Sequence, residues 1–317
     1  MSDLASTLHD LYQRFGELPG VQIEIHKNLP AVTVSNDLST ATVFLQGAQI
    51  SHFERHGQKP VLFLSEANTY EEGKPLRGGI PLCWPWFGNL DKNPDIIQTQ
   101  ISQTDAPAHG FLRNLTWQLK TIQAEQTETQ LLLTTNIDAN SNSLWPFATE
   151  LQLQITVGKT LTIALSVKNC DTRDFHYSLA MHTYFQISDI HQVSVDGLDE
   201  EKYFDALDQW QLKTQAGPLQ VSEEVDRVYE NVSSQATGEL KLNDKGISRN
   251  LFILTKNLPS LVTWNPWLDK SKTLSQFYDN DFNQMLCLES AAVKDNCVTL
   301  APEETQTHTL EIIELNI

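Results

Sequence analysis

The chain has 317 residues, 40% of them apolar, which is enough for one large all-β domain or two smaller ones. Its formal net charge of -18 argues against nucleic-acid and anionic-membrane partners, and any anionic ligand has to be met by a local basic pocket. Residues 1–20 hold no basic stretch followed by an apolar run, and no run of about 18 apolar residues occurs, so neither a signal peptide nor a membrane span is expected.

Leu4, Leu8, Leu11 and Phe15 recur at helical spacing after a capping Ser2 or Asp3, and Gly16 and Pro19–Gly20 end the pattern. This predicts one short N-terminal helix within an extension over 1–20. Period-two alternation then takes over at Val21, Ile23 and Ile25, at Val32 and Val34, and over 41–56 and 60–65. Residues 115–123 and 129–137 form a candidate strand pair. Residues 151–157 and 160–167 flank Gly158–Lys159, which suits a two-residue type II′ hairpin. Further strands are expected at 175–187, 193–197, 218–221, 237–242, 247–254, 261–265, 284–291 and 306–315. No long strand–helix alternation appears, so a doubly wound fold is not expected. One large antiparallel β-sandwich, a single domain over 1–317, is the expected all-β architecture.

Residues 75–88 stand apart. Pro75-Leu-Arg-Gly-Gly-Ile-Pro-Leu-Cys-Trp-Pro-Trp-Phe-Gly88 is dominated by Gly, Pro, Trp and Phe. Pro81 and Pro85 rule out a regular helix and make a poor central strand. A rigid, largely buried loop is expected, with Arg77 either paired internally or aimed at an anionic ligand.

Chemistry is concentrated in a few places. On an extended strand His182 shares a small, polar face with His176, Ser178, Ala180, Tyr184 and Gln186, while Phe175, Tyr177, Leu179, Met181 and Phe185 make the better core. Most histidines are not catalytic, so a solvated or structurally hydrogen-bonded His182 is the competing reading. Glu289 is the only charged residue in 283–293; an ionised carboxylate there is costly unless it is hydrogen-bonded, paired with an arginine, or functional. Arg113 follows a His109–Gly110 turn. Asp226 precedes Arg227 and reads in isolation as a solvated pair. Trp264-Asn-Pro-Trp267 either stacks on a sugar face or closes a loop. The cysteines Cys83, Cys170, Cys287 and Cys297 lack zinc spacing and read as reduced core residues of a cytosolic protein. No dinucleotide, P-loop, zincin or nucleophile-elbow motif is present.

Taken in order, Arg77-Gly-Gly-Ile-Pro81 with Trp84-Pro-Trp-Phe-Gly88, His109-Gly-Phe-Leu-Arg113, Met181-His-Thr-Tyr-Phe185, Asp226-Arg-Val-Tyr229, Trp264-Asn-Pro-Trp267 and Cys287-Leu-Glu289 resemble the D-hexose-6-phosphate mutarotases. These are the glucose-6-phosphate 1-epimerase branch of the aldose 1-epimerase, galactose mutarotase-like superfamily. The resemblance spans about 40–315 and leaves out the first twenty residues. It implies a β-supersandwich, His182 and Glu289 as catalytic residues, Arg77 and Arg113 in the substrate site, Asp226 on sugar hydroxyls, and His109 flanking the pocket. One departure is local: Ser290-Ala-Ala-Val follows Glu289 where relatives often carry Pro-Gly.

Anomer interconversion needs a base at the C1 hydroxyl and an acid at the ring oxygen O5, with the roles reversed on closure. No metal, cofactor or covalent intermediate is required. Glu289 is expected as the ionised base and His182 as the protonated acid, which assigns the acid limb of a bell-shaped pH profile to the carboxylate and the alkaline limb to the imidazolium. Two arginines would hold a phosphate dianion. The expected partner is a small hexose 6-phosphate, bound by a cytoplasmic monomer. Three readings compete: an aldose 1-epimerase on free hexoses, a sugar-phosphate-binding protein without turnover, and a glycoside hydrolase, which normally needs two carboxylates.

Overall fold

The structure is a computed structural model that describes residues 2–103 and 105–316. The alternation read from the sequence becomes antiparallel strand pairs throughout the named sheets. Val21–His26, Leu29–Ser35, Ser39–Phe44 and Gln49–Arg55 form a four-stranded meander. One eight-stranded sheet runs Val193–Asp196, Lys241–Asp244, Arg249–Lys256, Thr305–Asn316, Leu161–Asn169, Thr149–Val157, Thr129–Ile137, Gln118–Ala124. The second runs Gln211–Thr214, Lys202–Asp205, Val225–Tyr229, Ser260–Asn265, Met285–Ala292, Leu179–Met181, Leu82–Cys83, with Tyr184–Gln186 also paired to Met285–Ala292.

The two large sheets pack on one another. Leu153, Ile155, Ile163 and Leu165 of the first share a single buried cluster with Leu179, Met181, Leu261, Leu286 and Leu288 of the second. Leu161–Asn169 shows the pattern of a half-covered strand, buried at every other position. The N-terminal helix, Ser2–Phe15, buries Leu11 and Phe15 against the same cluster, as its spacing predicts. It ends where the Gly16 N–H donates to the Tyr12 carbonyl at 2.9 Å.

Some expectations need correction. The 151–167 hairpin forms, but Val157 pairs with Leu161, so its loop holds three residues. Gly158 is outside the left-handed region, and the turn is not type II′. Residues 218–221 make only an isolated bridge, Val195 to Leu219. Residues 233–237 are a short helix, Ser233–Thr237, so the strand expected from 237 begins at Lys241. Lys202–Asp205 and Gln211–Thr214 lack a clear alternation because they form the sheet's outer edge, where Leu207 and Leu212 stay exposed. Cys83 and Cys287 are core residues, but Cys170 is exposed and Cys297 half-buried.

One buried charge ties the layers together. Arg249 sits 3.8 Å from Glu314, with both side chains almost fully buried. It donates to the carbonyls of Pro60 at 2.8 Å and Lys59 at 3.3 Å, and to that of Gln186, which ends a strand of the second sheet. Removing one member of a buried pair strands the other charge. Arg249→Ala is therefore expected to lose about 3–5 kcal/mol of stability in urea unfolding, against less than about 1 kcal/mol if the arginine behaved like a surface ion-pair residue.

Candidate active site

Met285–Ala292 is buried at all eight positions. Its even-numbered residues Leu286, Leu288 and Ala292 enter the main core. Met285, Cys287, Glu289 and Ala291 point to the opposite face, where smaller apolar clusters and a cleft lie. The strand runs on through Ser290 to Ala292, so the departure after Glu289 makes no turn.

Strand register brings the other residues to Glu289. Glu289 stands opposite Val262, and Val262 opposite Val228. In the next row Cys287 is flanked by Trp264 and Tyr184, and Trp264 by Asp226. The 175–187 segment breaks into three short strands, yet the face expected to be core is core. His182 lies in a break, its N–H donating to the Pro81 carbonyl at 2.9 Å. Its ring stacks on Tyr184 with centroids 4.7 Å apart and planes 9° from parallel. His182 Nε2 then lies 3.3 Å from Glu289 Oε1. His176 and Ser178 are elsewhere: His176 bonds Thr299, and Ser178 accepts from the Phe87 N–H and donates to Asn93.

Residues 75–88 are, as expected, a buried loop, containing only the two-residue strand Leu82–Cys83. Glycine is required where it approaches other backbone. A Cβ on Gly79 would stand 2.2 Å from the Ile50 carbonyl oxygen, and one on Gly110 would stand 2.1 Å from that of Trp84, both at positive φ. Asn68 fixes Arg77 from both sides, accepting its N–H at 2.8 Å and donating to its carbonyl at 3.0 Å. His109 is held against the same loop. Its N–H donates to the Gly88 carbonyl at 2.8 Å, and its Nδ1 accepts from the Gly88 N–H at 3.3 Å. A neutral His109 with Nδ1 accepting keeps its proton on Nε2.

The result is a cleft of about 410 Å³ lined by Arg77, His109, His182, Asp226, Trp264 and Glu289, of a size that suits a small ligand. A second recess of about 380 Å³ adjoins it, sharing Arg77, His109, His182 and Tyr184. Arg113 lines this recess and not the main cleft, so the six residues singled out from the sequence fall in two connected chambers. Arg113 donates through Nη2 to the Ala108 carbonyl at 2.9 Å, and its buried Nε has no partner. Among the described residues the arginine ion pairs belong to Arg14, Arg173 and Arg249; Arg77 and Arg113 have none. Asp226 is not a solvated partner of Arg227, which turns to the other face and donates to Gln215 at 2.9 Å. Trp264 faces the cleft, whereas Trp267 packs on Phe282 and closes a loop with Asn265. Sequence reasoning missed Asn68 and gave Tyr184 no role beyond a shared face. Neither Asn68 nor a Tyr on an apolar strand carries a local signal of its use.

Burial works against the protonation states expected from the sequence, an ionised Glu289 and a protonated His182. It raises Glu289 well above the ordinary 4.5, and Asp226 adds to this while Arg113 opposes it. It lowers His182 well below 6.5, helped by His109, Arg113 and Arg77. The contact is therefore a carboxyl–imidazole dyad sharing one proton, not a resting ion pair. The limbs of a bell-shaped profile then belong to the pair and not to one residue. Burial also pushes His109 down to about 3 and Asp226 up to about 6. The dyad has a third neighbour, since donor atoms of His182, Cys287 and Glu289 lie within 4.8 Å of one another. No helix among the described residues is long and apolar enough to cross a membrane.

An antiparallel β-sandwich with a buried carboxyl–imidazole pair in a small-molecule cleft is the arrangement of a mutarotase-like protein. The chain belongs to the aldose 1-epimerase family, a family of isomerases, whose pattern it matches over residues 30–312. A protein from Cenchrus ciliaris, provisionally named glucose-6-phosphate 1-epimerase, is 32% identical over 279 residues, covering 83% of this chain and 78% of its own. An Escherichia coli K12 protein with the same provisional name is 29% identical over 264 residues, covering 83% of each. Among solved structures, a provisionally named mutarotase (YeaD) from Salmonella typhimurium superposes with a TM-score of 0.83 at 25% identity over 95% of each chain. A galactose mutarotase related enzyme from Lactobacillus acidophilus has a TM-score of 0.69 at 13% identity, covering 90% of this chain and 97% of its own, and so shares the fold.

A carboxyl whose folded pKa is raised binds protons more tightly in the native state, so stability falls as pH rises above the unfolded value. Glu289→Gln removes that linkage. Its melting temperature is expected to exceed that of the wild type by a margin that widens from about pH 4.5 towards neutrality. A pH-independent difference would show that Glu289 is ionised in the folded protein.

Proposed function

We propose that the protein is a glucose-6-phosphate 1-epimerase that interconverts the α and β anomers of D-hexose 6-phosphates. The observation that carries this reading is the recess beside the dyad. In a chain of net charge -18, two arginines without carboxylate partners converge on one polar chamber next to His182. A phosphate dianion suits them, since guanidinium groups bind it through paired charge-assisted hydrogen bonds. The names of the relatives agree with this substrate.

In the proposed complex the sugar ring lies in the main cleft and its 6-phosphate in the recess. C6 is attached next to O5, so this pose puts O5 by His182 and leaves O1 to Glu289. Arg77 and Arg113 depress His182 in the free protein. The dianion offsets both, so binding favours moving the shared proton from Glu289 to His182. Glu289 then takes the O1 proton and His182 protonates O5. The ring opens, C1–C2 rotates, and closure runs the transfers backwards. Asp226 and the Nε2–H of His109 hold hydroxyls, and Trp264 offers a face for the sugar's C–H surface. The arginine recess favours this reading over one restricted to free hexoses.

His182→Ala and Glu289→Gln should each lower kcat by about 10²-fold or more, read as the decay of pure α-anomer by NMR. Near-normal rates in Glu289→Gln would make that residue structural. Arg77→Ala or Arg113→Ala should raise KM for glucose 6-phosphate far more than for glucose, since each charge-assisted hydrogen bond to the phosphate is worth about 1.5–3 kcal/mol. Equal effects on both sugars would refute the phosphate assignment. The proton transfers require no metal, so EDTA should leave the rate unchanged.

A further inference from the structure

Cys287 has no part in the proton transfers and does not line the cleft. It nevertheless sits two positions before Glu289 on one strand, which aims its thiol to the same face. One donor atom from each of His182, Cys287 and Glu289 lies within 4.8 Å of the other two, and the three residues are 7%, 0% and 1% exposed. A second observation points to a ligand at this spot. Glu289 Oε2 is buried without a hydrogen-bond partner, a state that native interiors rarely leave unfilled.

We propose that His182, Cys287 and Glu289 form an inhibitory site for a thiophilic divalent cation of the zinc type. The identification of the metal class rests on the donors. Imidazole, thiolate and carboxylate around a tetrahedral centre with one position left open are zinc ligands, whereas magnesium and calcium take oxygen donors. Zinc bond lengths place neighbouring donors of a tetrahedron about 3.3–3.6 Å apart. The His182 Nε2–Glu289 Oε1 separation of 3.3 Å already matches that edge. The sulfur has to close by no more than about 1.2 Å, the distance from 4.8 Å to the edge of the tetrahedron, which a side-chain rotation supplies. Phe63, Tyr184, Phe277 and Met285 pack around Cys287 and keep bulk water from the sulfur side. On coordination two protons leave to solvent, the one on the thiol and the one shared by the dyad.

The fourth coordination position faces the cleft through His182 and Glu289, where the anomeric end of the sugar is proposed to lie. Metal and substrate therefore exclude one another, and a bound cation occupies the lone pairs of both proton-transfer groups. The activity consequence rests on the epimerase reading; the metal site itself does not.

The test uses the full chain, stripped with EDTA and titrated with Co²⁺ and then Zn²⁺. Cobalt should produce a thiolate-to-cobalt charge-transfer band that zinc abolishes. Zinc should inhibit anomerisation of glucose 6-phosphate in competition with the substrate, and EDTA should reverse it. Cys287→Ala and Cys287→Ser should keep the activity of the stripped enzyme, lose the band, and need at least about tenfold more zinc for the same inhibition. Cys170→Ser, a change at an exposed thiol, should behave as wild type in every arm. A band that survives in both Cys287 variants, or zinc inhibition unchanged in them, overturns the proposal. If the protein proved inactive on hexose 6-phosphates, the cobalt band would still decide the metal site, so the two readings fail separately.

Discussion

A carboxyl group held out of water at the middle of a fully buried strand is the constraint to which the rest of the structure is fitted. Glu289 cannot reach solvent as a surface glutamate does, and an isolated ionised carboxylate there is strongly disfavoured. The fold accommodates it by keeping it neutral or by placing a proton acceptor beside it. His182 provides that acceptor at 3.3 Å. The large apolar cluster shared by the two eight-stranded sheets supplies the stability against which this local cost is set. Glu289 and His182 are both destabilising as buried charges, and each is the other's polar neighbour in the cleft.

The opposite wall of the cleft is made of loop, and it is rigid for reasons of packing. Trp84 and Trp86 are buried beneath it, and Trp86 Nε1 donates to the Pro107 carbonyl at 2.8 Å. Asn93 donates to the carbonyls of Phe87 and Asn89 at 2.8 and 2.9 Å. Arg77 is held through its backbone, and His109 through its backbone N–H and its Nδ1, which accepts from the Gly88 N–H. Their polar ends are left for a ligand, which is the form of preorganisation that lowers the ordering cost of binding.

Charge is distributed against the overall field. The surface is acidic, yet Arg77 and Arg113 share the recess, and Lys92 and Lys294 stand at the lip of the cleft. Lys294 lies over Trp210 at 4.3 Å and Phe204 at 5.1 Å, so its cation rests on aromatic faces rather than on a carboxylate. A local positive path of this kind can draw an anion through a repulsive outer field.

Periodicity and composition alone determined the all-β class, the N-terminal helix, the loop character of 75–88 and the core face of 175–187, because each depends on residues near one another in the chain. A lone Glu in an apolar run and a small, polar His182 face were visible for the same reason. Tertiary structure decided everything that depends on strand register. It joined His182 to Glu289 and turned Asp226 away from Arg227. It brought both arginines to the recess and only Arg77 to the main cleft as well, and it put Cys287 beside the dyad while leaving Cys170 in solvent. It also set the direction in which each buried pKa moves. The pKa of a buried group is set by desolvation and by neighbours from distant strands, and neither is written in the residues on either side of it.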